Sequence, residues 1–249
     1  MYSQLEQVAK QIAQAKTIVV LTGAGVSTAS GIPDFRSSDG VWSEDLSRED
    51  YMSSHYFSTN PIDFWKKYKS IFHIKLLQQY EPNNVHYFLK ELEIKTRKVS
   101  IITQNVDGLH TKANSSRVIE YHGSLDKASC PACGQLYSVN YVLAYETPRC
   151  ETCQTVIKPN VVLFGDLITA HDEAEAVIDQ ADLLIVLGTS LQVSPFNVLP
   201  QYAVNKGIAT VLANKEPTLK DYIFDTVIHG DLSSIITDLK YQLKNMSSS

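Results

Sequence analysis

Residues 17–36 read TIVVLTGAGVSTASGIPDFR, and this stretch decides the fold. The run Thr17 to Leu21 has the apolar, β-branched character of a buried strand. It ends in Gly23-Ala24-Gly25, the form of a first βα turn that offers backbone N–H groups to phosphate. The dinucleotide pattern G-x-G-x-x-G would put its third glycine at position 28, where Thr28 stands instead. The next glycine, Gly31, leads to Pro33 and then to an acid, a ring and a base: Asp34, Phe35 and Arg36. The stretch predicts a phosphate-binding turn in an α/β sheet, adapted to chemistry that a pyrophosphate cradle alone does not serve.

Outward from this stretch the periodicity agrees. Leu5, Val8, Ile12 and Ala15 recur at helical spacing and predict an amphipathic helix packed on a sheet. Further strand-like runs are VSIIT (99–103), NVVLF (160–164), DLLIVLG (182–188), IATVLA (208–213) and DTVIHG (225–230). Several are apolar at consecutive positions, as parallel strands covered on both faces should be. Helix-like stretches at 83–95, 171–181, 196–206 and 231–244 lie among them. The expected fold is α/β, a doubly wound, Rossmann-like parallel sheet with its ligand at the carboxyl ends of the strands. Residues 37–80, read as loop and then helix, and 124–158, which hold the cysteines, break the alternation. They are expected to form a smaller lobe, leaving 1–36, 81–123 and 159–249 as the main domain.

The composition narrows the function classes. The 249 residues are 44% apolar and 20% charged, with a formal net charge of −5, which argues against a general nucleic-acid grip. Clusters such as WKKYK (65–69) read as solvated helix faces. No apolar run approaches the roughly 18–20 residues that span a bilayer, and MYSQLEQVAKQIAQAK contains no secretory h-region, so a cytoplasmic location is expected.

All four cysteines fall between Cys130 and Cys153, as Cys130-x2-Cys133 and Cys150-x2-Cys153 with sixteen residues between the pairs. That is zinc-ribbon spacing, with Pro131, Gly134 and Pro148 able to bend the chain around a tetrahedral ion. Four thiolates close the coordination shell, so the expected zinc is structural and not catalytic.

Polar residues gather at four strand ends. TQNVDGLH (103–110) supplies Gln104, Asn105 and Asp107, and EYHG (120–123) supplies His122 before Gly123. LGTSLQVSP (187–195) supplies Gly188, Thr189 and Ser190, and LANKE (212–216) supplies Asn214, suited to a ribose or adenine. Singly, each is an ordinary turn residue. Together they offer groups for a sugar, a phosphate and a proton at one edge of the sheet.

GAGVSTASGIPDFRS, TQNVDGLH, YHGS, the two C-x-x-C pairs, PNVVLFGD and GTSLQVSP, in that order, resemble the signature blocks of sirtuins, the NAD-dependent protein deacylases. The resemblance runs from about residue 8 to 240 and is similar to the compact bacterial-type catalytic core. It implies that NAD is consumed as a cosubstrate. By this resemblance Gly23, Ala24 and Gly25 let backbone approach the phosphates, while Asp34, Phe35 and Arg36 lie over the nicotinamide ribose. Asp107 holds the carboxamide, Asn105 and Gln104 orient the ribose and a water, and Gly188, Thr189, Ser190, Asn214 and Asp231 bind phosphate, ribose and adenine. His122 is implied as general base, with Asn105 and Asp107 beside it in the catalytic set, leading to O-acyl-ADP-ribose and free lysine.

The segment Val161, Val162, Phe164 and Gly165 matches the strand that pairs with an extended acyl-lysine peptide of a protein substrate. Val161 and Phe164 would line the acyl tunnel. Asp166 stands where the family often has Glu. Tyr68 matches the tyrosine of a carboxylate clamp found in succinyl- and malonyl-specific members, but Ile71 occupies the place of its arginine, so neutral acyl groups are expected, acetyl first. The alternatives are mono-ADP-ribosyl transfer, NAD hydrolysis, or a non-catalytic NAD-binding module. The presence of His122, Asn105 and the peptide strand favours deacylation.

Overall fold

The computed structural model describes residues 2–34, 48–77, 80–94 and 97–247. Its strands are β1 (Thr17–Thr22), β2 (Lys98–Thr103), β3 (Val118–Glu120), β4 (Gly123–Ser129), β5 (Leu136–Ser138), β6 (Lys158–Val161), β7 (Leu183–Leu187), β8 (Ala209–Asn214) and β9 (Thr226–His229). The first five α-helices are α1 (Tyr2–Gln14), α2 (Arg48–Tyr51), α3 (Ser54–Thr59), α4 (Pro61–Leu77) and α5 (Asn84–Glu91). The other five are α6 (Leu109–Lys112), α7 (Val139–Ala144), α8 (His171–Ile178), α9 (Leu199–Asn205) and α10 (Leu232–Ser247).

Six strands pair in parallel in the order β3-β2-β1-β7-β8-β9. The chain winds outward from β1 in one direction and then outward from β7 in the other. The carboxyl ends of β1 and β7 therefore diverge into a crevice, the place where an open α/β sheet binds its ligand.

Side-chain alternation explains why these strands are apolar throughout. Ile18 and Val20 of β1 point into one core, which α1, α5 and α10 close with Ile12, Leu89 and Ile236. Val19 and Leu21 point into the opposite core, closed by α8 and α9 with Ile178, Leu199 and Ala203. Both faces are covered, so neither register of the alternation can be polar. The sheet is doubly wound.

A third core belongs to the smaller lobe. Phe64, Trp65, Tyr68 and Phe72 of α4 meet Leu125, Ala128, Tyr137, Val142 and Ile157 of the cysteine-bearing segment. The Trp65 indole N–H donates to the Ile157 carbonyl at 2.9 Å. The helical insertion and the ribbon are thus two pieces of chain that bury one another.

One strand differs from its sequence reading. NVVLF (160–164) is apolar at four consecutive positions, which suggested a strand of the parallel sheet. The structure instead ends the strand at Val161, as β6, antiparallel to β4 in the three-stranded sheet β5-β4-β6. The apolar run serves the lobe core: Leu163 is buried in it and Val161 packs against it. Beyond Val161 the backbone bonds to two other segments, Val162 N–H to the His122 carbonyl and Phe164 N–H to the Met52 carbonyl, both at 2.9 Å. Consecutive hydrophobicity here marks a segment shared between lobes.

Candidate functional site

The turns after β1 and β7 lock together backbone to backbone. Gly25 N–H donates to the Gly188 carbonyl at 2.9 Å, and Gly23 N–H donates to the Leu187 carbonyl at 3.1 Å. A Cβ on Gly23 would lie 2.7 Å from the Gly188 oxygen, and one on Gly25 would lie 2.8 Å from the Gly188 Cα. Gly188 has φ +61°, and a Cβ there would sit 2.7 Å from the Val26 nitrogen. These glycines are required by the close approach of two turns, before any ligand is considered.

The loop after β2 completes this floor. The Gln104 amide donates to Thr189 Oγ1 at 2.8 Å. Asn105, 5% exposed, donates through Nδ2 to the Gly23 carbonyl and to Ser27 Oγ, each at 3.1 Å. Ser27 Oγ donates in turn to Asp107 Oδ2 at 2.7 Å, and Leu109 N–H donates to Asp107 Oδ1 at 2.9 Å. Three strand ends are tied into one polar surface. Ser27, 1% exposed, is the knot between the turn after β1 and the loop after β2. Sequence reasoning did not single it out, although a small hydroxyl two residues past the last glycine of a phosphate turn was the available signal.

His122 lies in the link from β3 to β4, where the two lobes meet. Burial pushes its imidazole pKa below the ordinary histidine value, and a hydrogen bond with the Gln104 backbone opposes that push. Its carbonyl accepts from Val162, so one residue joins the nucleotide-type loops to the segment 161–165. Gly123 beside it has φ +78°, and a Cβ there would meet the Asn160 oxygen at 1.9 Å, so only glycine fits. Phe164 is tied on its other side to the helical insertion, its carbonyl accepting from Ser54 N–H at 2.9 Å.

The four cysteine sulfurs all lie within 4.8 Å of one another. Two knuckles of the same design carry them. Gly134 N–H and Gln154 N–H donate to the carbonyls of Cys130 and Cys150, each at 2.9 Å, and both donors have positive φ, +75° and +61°. Tyr137 Oη donates to Cys150 Sγ at 3.2 Å and accepts from Glu151 N–H at 2.8 Å. Four sulfurs within one ion's reach, a hydrogen bond to one of them and, among the described residues, no fifth ligand in the cluster fit a closed tetrahedral zinc.

The sequence-selected residues divide. Gly23, Ala24, Gly25, Gln104, Asn105, Asp107, Gly188 and Thr189, with Ser190 following, converge on the crevice between β1 and β7, and His122 joins them through Gln104. Asn214 ends β8, and its amide donates to the Glu216 carbonyl at 2.7 Å. Asp231 accepts from Ser234 N–H and Oγ at 2.8 and 3.0 Å at the start of α10, as a helix cap does. Tyr68 is only 2% exposed, its ring stacked on Phe64 at 5.5 Å inside the lobe core, and burial raises its pKa. Phe35 and Arg36 lie outside the described residues, and Asp34 is the last described residue before them.

Two buried histidines were also missed as a pair. His86 and His110, 0% and 2% exposed, have ring centroids 4.8 Å apart. His86 Nδ1 accepts from Asn83 N–H at 3.2 Å, closing the capping box of α5, and His110 Nε2 contacts Thr22 Oγ1 at 3.0 Å at the end of β1.

Comparisons with known proteins bear on this geometry. The model of the Sir2 family matches residues 23–195. The chain is 46% identical over 243 residues to NAD-dependent protein deacetylase 2 of Geobacillus kaustophilus, covering 97% of this chain and 98% of that protein. It is 47% identical over 234 residues to the NAD-dependent protein deacetylase of Bacillus subtilis, covering 91% and 95%. Among solved structures, a Sir2 enzyme superposes with TM-score 0.88 at 36% identity, over 99% of this chain and all of that one. A Sir2 protein with a deacetylated p53 peptide and 3′-O-acetyl-ADP-ribose gives TM-score 0.85 at 31% identity, covering 96% and 98%. A Sir2 homologue complexed with ADP-ribose gives 0.86 at 33%, covering 98% of each chain.

Proposed function

The chain belongs to the Sir2 family, and from that premise we propose that it is an NAD-dependent protein deacetylase, transferring an acetyl group from lysine to ADP-ribose and releasing nicotinamide. One observation carries the reading: His122 stands at the junction of the nucleotide-type loops and segment 161–165, bonded to both. A base so placed serves a reaction whose two substrates arrive from different lobes.

When bound, NAD supplies an electrophilic ribose carbon with nicotinamide as its leaving group. The turns 23–25 and 188–190 would hold its phosphates, and Asn214 and Asp231 are the residues that would take its adenosine. Asp107 positions the carboxamide, held rigid by the hydroxyl of Ser27 and the N–H of Leu109. Asn105 and Gln104 orient the ribose. The imidazole nitrogen of His122 not engaged with Gln104 would be the one to accept a proton from a ribose hydroxyl. By the family resemblance Asp34, with Phe35 and Arg36 outside the described residues, would serve to shield the ribose from water. An extended acyl-lysine peptide adds along Val161, Val162, Phe164 and Gly165.

In this reading 1–36, 81–123 and 159–249 form the NAD-binding domain and 37–80 with 124–158 the smaller lobe, held by one zinc on Cys130, Cys133, Cys150 and Cys153. Neutral acyl groups other than acetyl fall within the same chemistry, while Ile71 leaves Tyr68 without a cation for an acidic one. The net charge of −5 speaks against direct nucleic-acid binding. Among the described residues no helix is long and apolar enough to cross a membrane, and we place the activity in the cytoplasm. Incubation with an acetyl-lysine peptide and NAD tests the function. O-acetyl-ADP-ribose and free lysine are expected. ADP-ribose attached to protein, or hydrolysed NAD with the peptide untouched, would replace this reading with one of its alternatives.

A further inference from the structure

Behind His122 lies a chain of polar groups that none of these roles uses. Tyr121 is 1% exposed, and its ring meets His122 at 5.4 Å and Phe196 at 5.1 Å, edge-on to both. His122 and Phe196 are themselves 6.3 Å apart, so the three rings form one wall. The Tyr121 hydroxyl leaves this apolar nest to meet His171 Nδ1 at 2.6 Å, at the first residue of α8. His171 Nε2 lies 3.4 Å from Glu175 Oε1, one helical turn further on.

The Glu175 carboxylate can only accept, so it favours a proton on the Nε2 it faces, and Nδ1 is the ring nitrogen that meets the tyrosine hydroxyl. Phenylalanine would fill the same apolar nest, so the hydroxyl and its acceptor serve orientation and not volume. The Tyr121 backbone N–H donates to the Thr103 carbonyl at 2.9 Å, so the ring is held at both ends. The imidazole it abuts hydrogen-bonds to the Gln104 backbone. The other charged groups nearby are otherwise engaged: Arg117 pairs with Glu173 at 3.5 Å, and Tyr202 Oη donates to Asp179 at 2.9 Å.

We propose that Tyr121, His171 and Glu175 are positioning residues for His122, a hydrogen-bonded anchor that holds the aromatic wall on which the general base is oriented. Its catalytic consequence rests on the deacetylase reading; the anchoring does not. The test uses the full chain and the variants Tyr121→Phe, His171→Ala, His171→Asn and Glu175→Gln. Activity is measured as kcat and KM for NAD with an acetyl-lysine peptide. Orientation is read from the imidazole proton shift of His122, assigned with His122→Gln and dominated by ring currents from Tyr121 and Phe196.

Tyr121→Phe and His171→Ala are expected to lower kcat about threefold to tenfold, the scale of one lost hydrogen bond, with KM for NAD nearly unchanged. Both should displace the His122 signal. His171→Asn, whose amide oxygen can occupy the place of Nδ1, should restore most of what His171→Ala loses. Glu175→Gln, at the more exposed end of the chain, should shift the same signal in smaller measure and carries the test if Tyr121→Phe unfolds early. An unmoved His122 signal and unchanged kcat in folded variants would overturn the proposal. A displaced signal in a protein that makes no O-acetyl-ADP-ribose would uphold the anchor and remove the deacetylase reading.

Discussion

At the scale of single residues, His122 makes the sharpest prediction. Replacing it with alanine should leave the fold and NAD binding in place and lower kcat by about 10²–10⁴, the usual worth of general-base catalysis. A product assay alongside NAD titration checks both halves. Because burial pushes the His122 pKa below its ordinary value, the acid limb of kcat/KM should lie below pH 6.5, with the rate flat through neutrality. A limb at or above 6.5 would assign the base elsewhere. Gly123→Ala is expected to cost about 2–4 kcal/mol and to weaken peptide binding, since the new Cβ meets the Asn160 oxygen at 1.9 Å. Thermal melting and the peptide KM measure those two effects. The strand-end positions of His122, Asn105 and Asp107 were legible because each follows a strand within a recognisable block. Ser27 was legible only as a hydroxyl beside the turn, because its bonds are to two partners some eighty residues away that only the folded turns bring to it.

Elements carry the next two predictions. The paired knuckles of the ribbon place four sulfurs within 4.8 Å of one another, and they hold α7 and β5 against α4. Strong chelation, or Cys130→Ala, should lower the melting temperature and the activity together, because metal binding energy is folding energy for such a lobe. Metal analysis should find one zinc per chain, and a metal-free form with full activity would contradict the structural role. Helices α5 and α6 contribute His86 and His110, which burial depresses to about 4 and about 3. Their unfolded values lie near 6.5, so the unfolded chain binds more protons between pH 6.5 and those folded values. Stability is expected to fall as pH drops through that window, and His110→Gln should flatten the slope in acid denaturation. The strand pattern explains what was legible at this scale. Consecutive apolar residues located β1, β2, β7 and β8 because both sheet faces are covered. The same signal misassigned 160–164, where the burial comes from a lobe core and a neighbouring backbone, and no local period distinguishes the two cases.

For the whole molecule the question is which acyl group fits between the lobes. Tyr68 is locked among Phe64, Trp65 and Phe72, and Ile71 packs against the same core, so neither position offers a cation to an acyl carboxylate. A succinyl carboxylate entering beside Val161 and Phe164 would lose water without gaining a partner, a cost of several kcal/mol. At about 1.4 kcal/mol per decade, acetyl-lysine should be preferred in kcat/KM by about 10² or more, measured on one peptide carrying each group. Ile71→Arg should narrow that gap while lowering stability, since the new charge enters a packed face. Equal turnover of both peptides would locate a clamp elsewhere, in Lys67 or Lys69. The small-lobe core has one further consequence, for synthesis on the ribosome. Its aromatic half, on α4, emerges long before its other half, which runs on through Ile157 to Leu163. At typical elongation rates α4 waits on the order of five to fifteen seconds for its partner. During that interval Phe64, Trp65, Tyr68 and Phe72 form an adhesive stripe on a nascent chain, and early release or truncation before the ribbon is made would leave that stripe as a nucleus for aggregation.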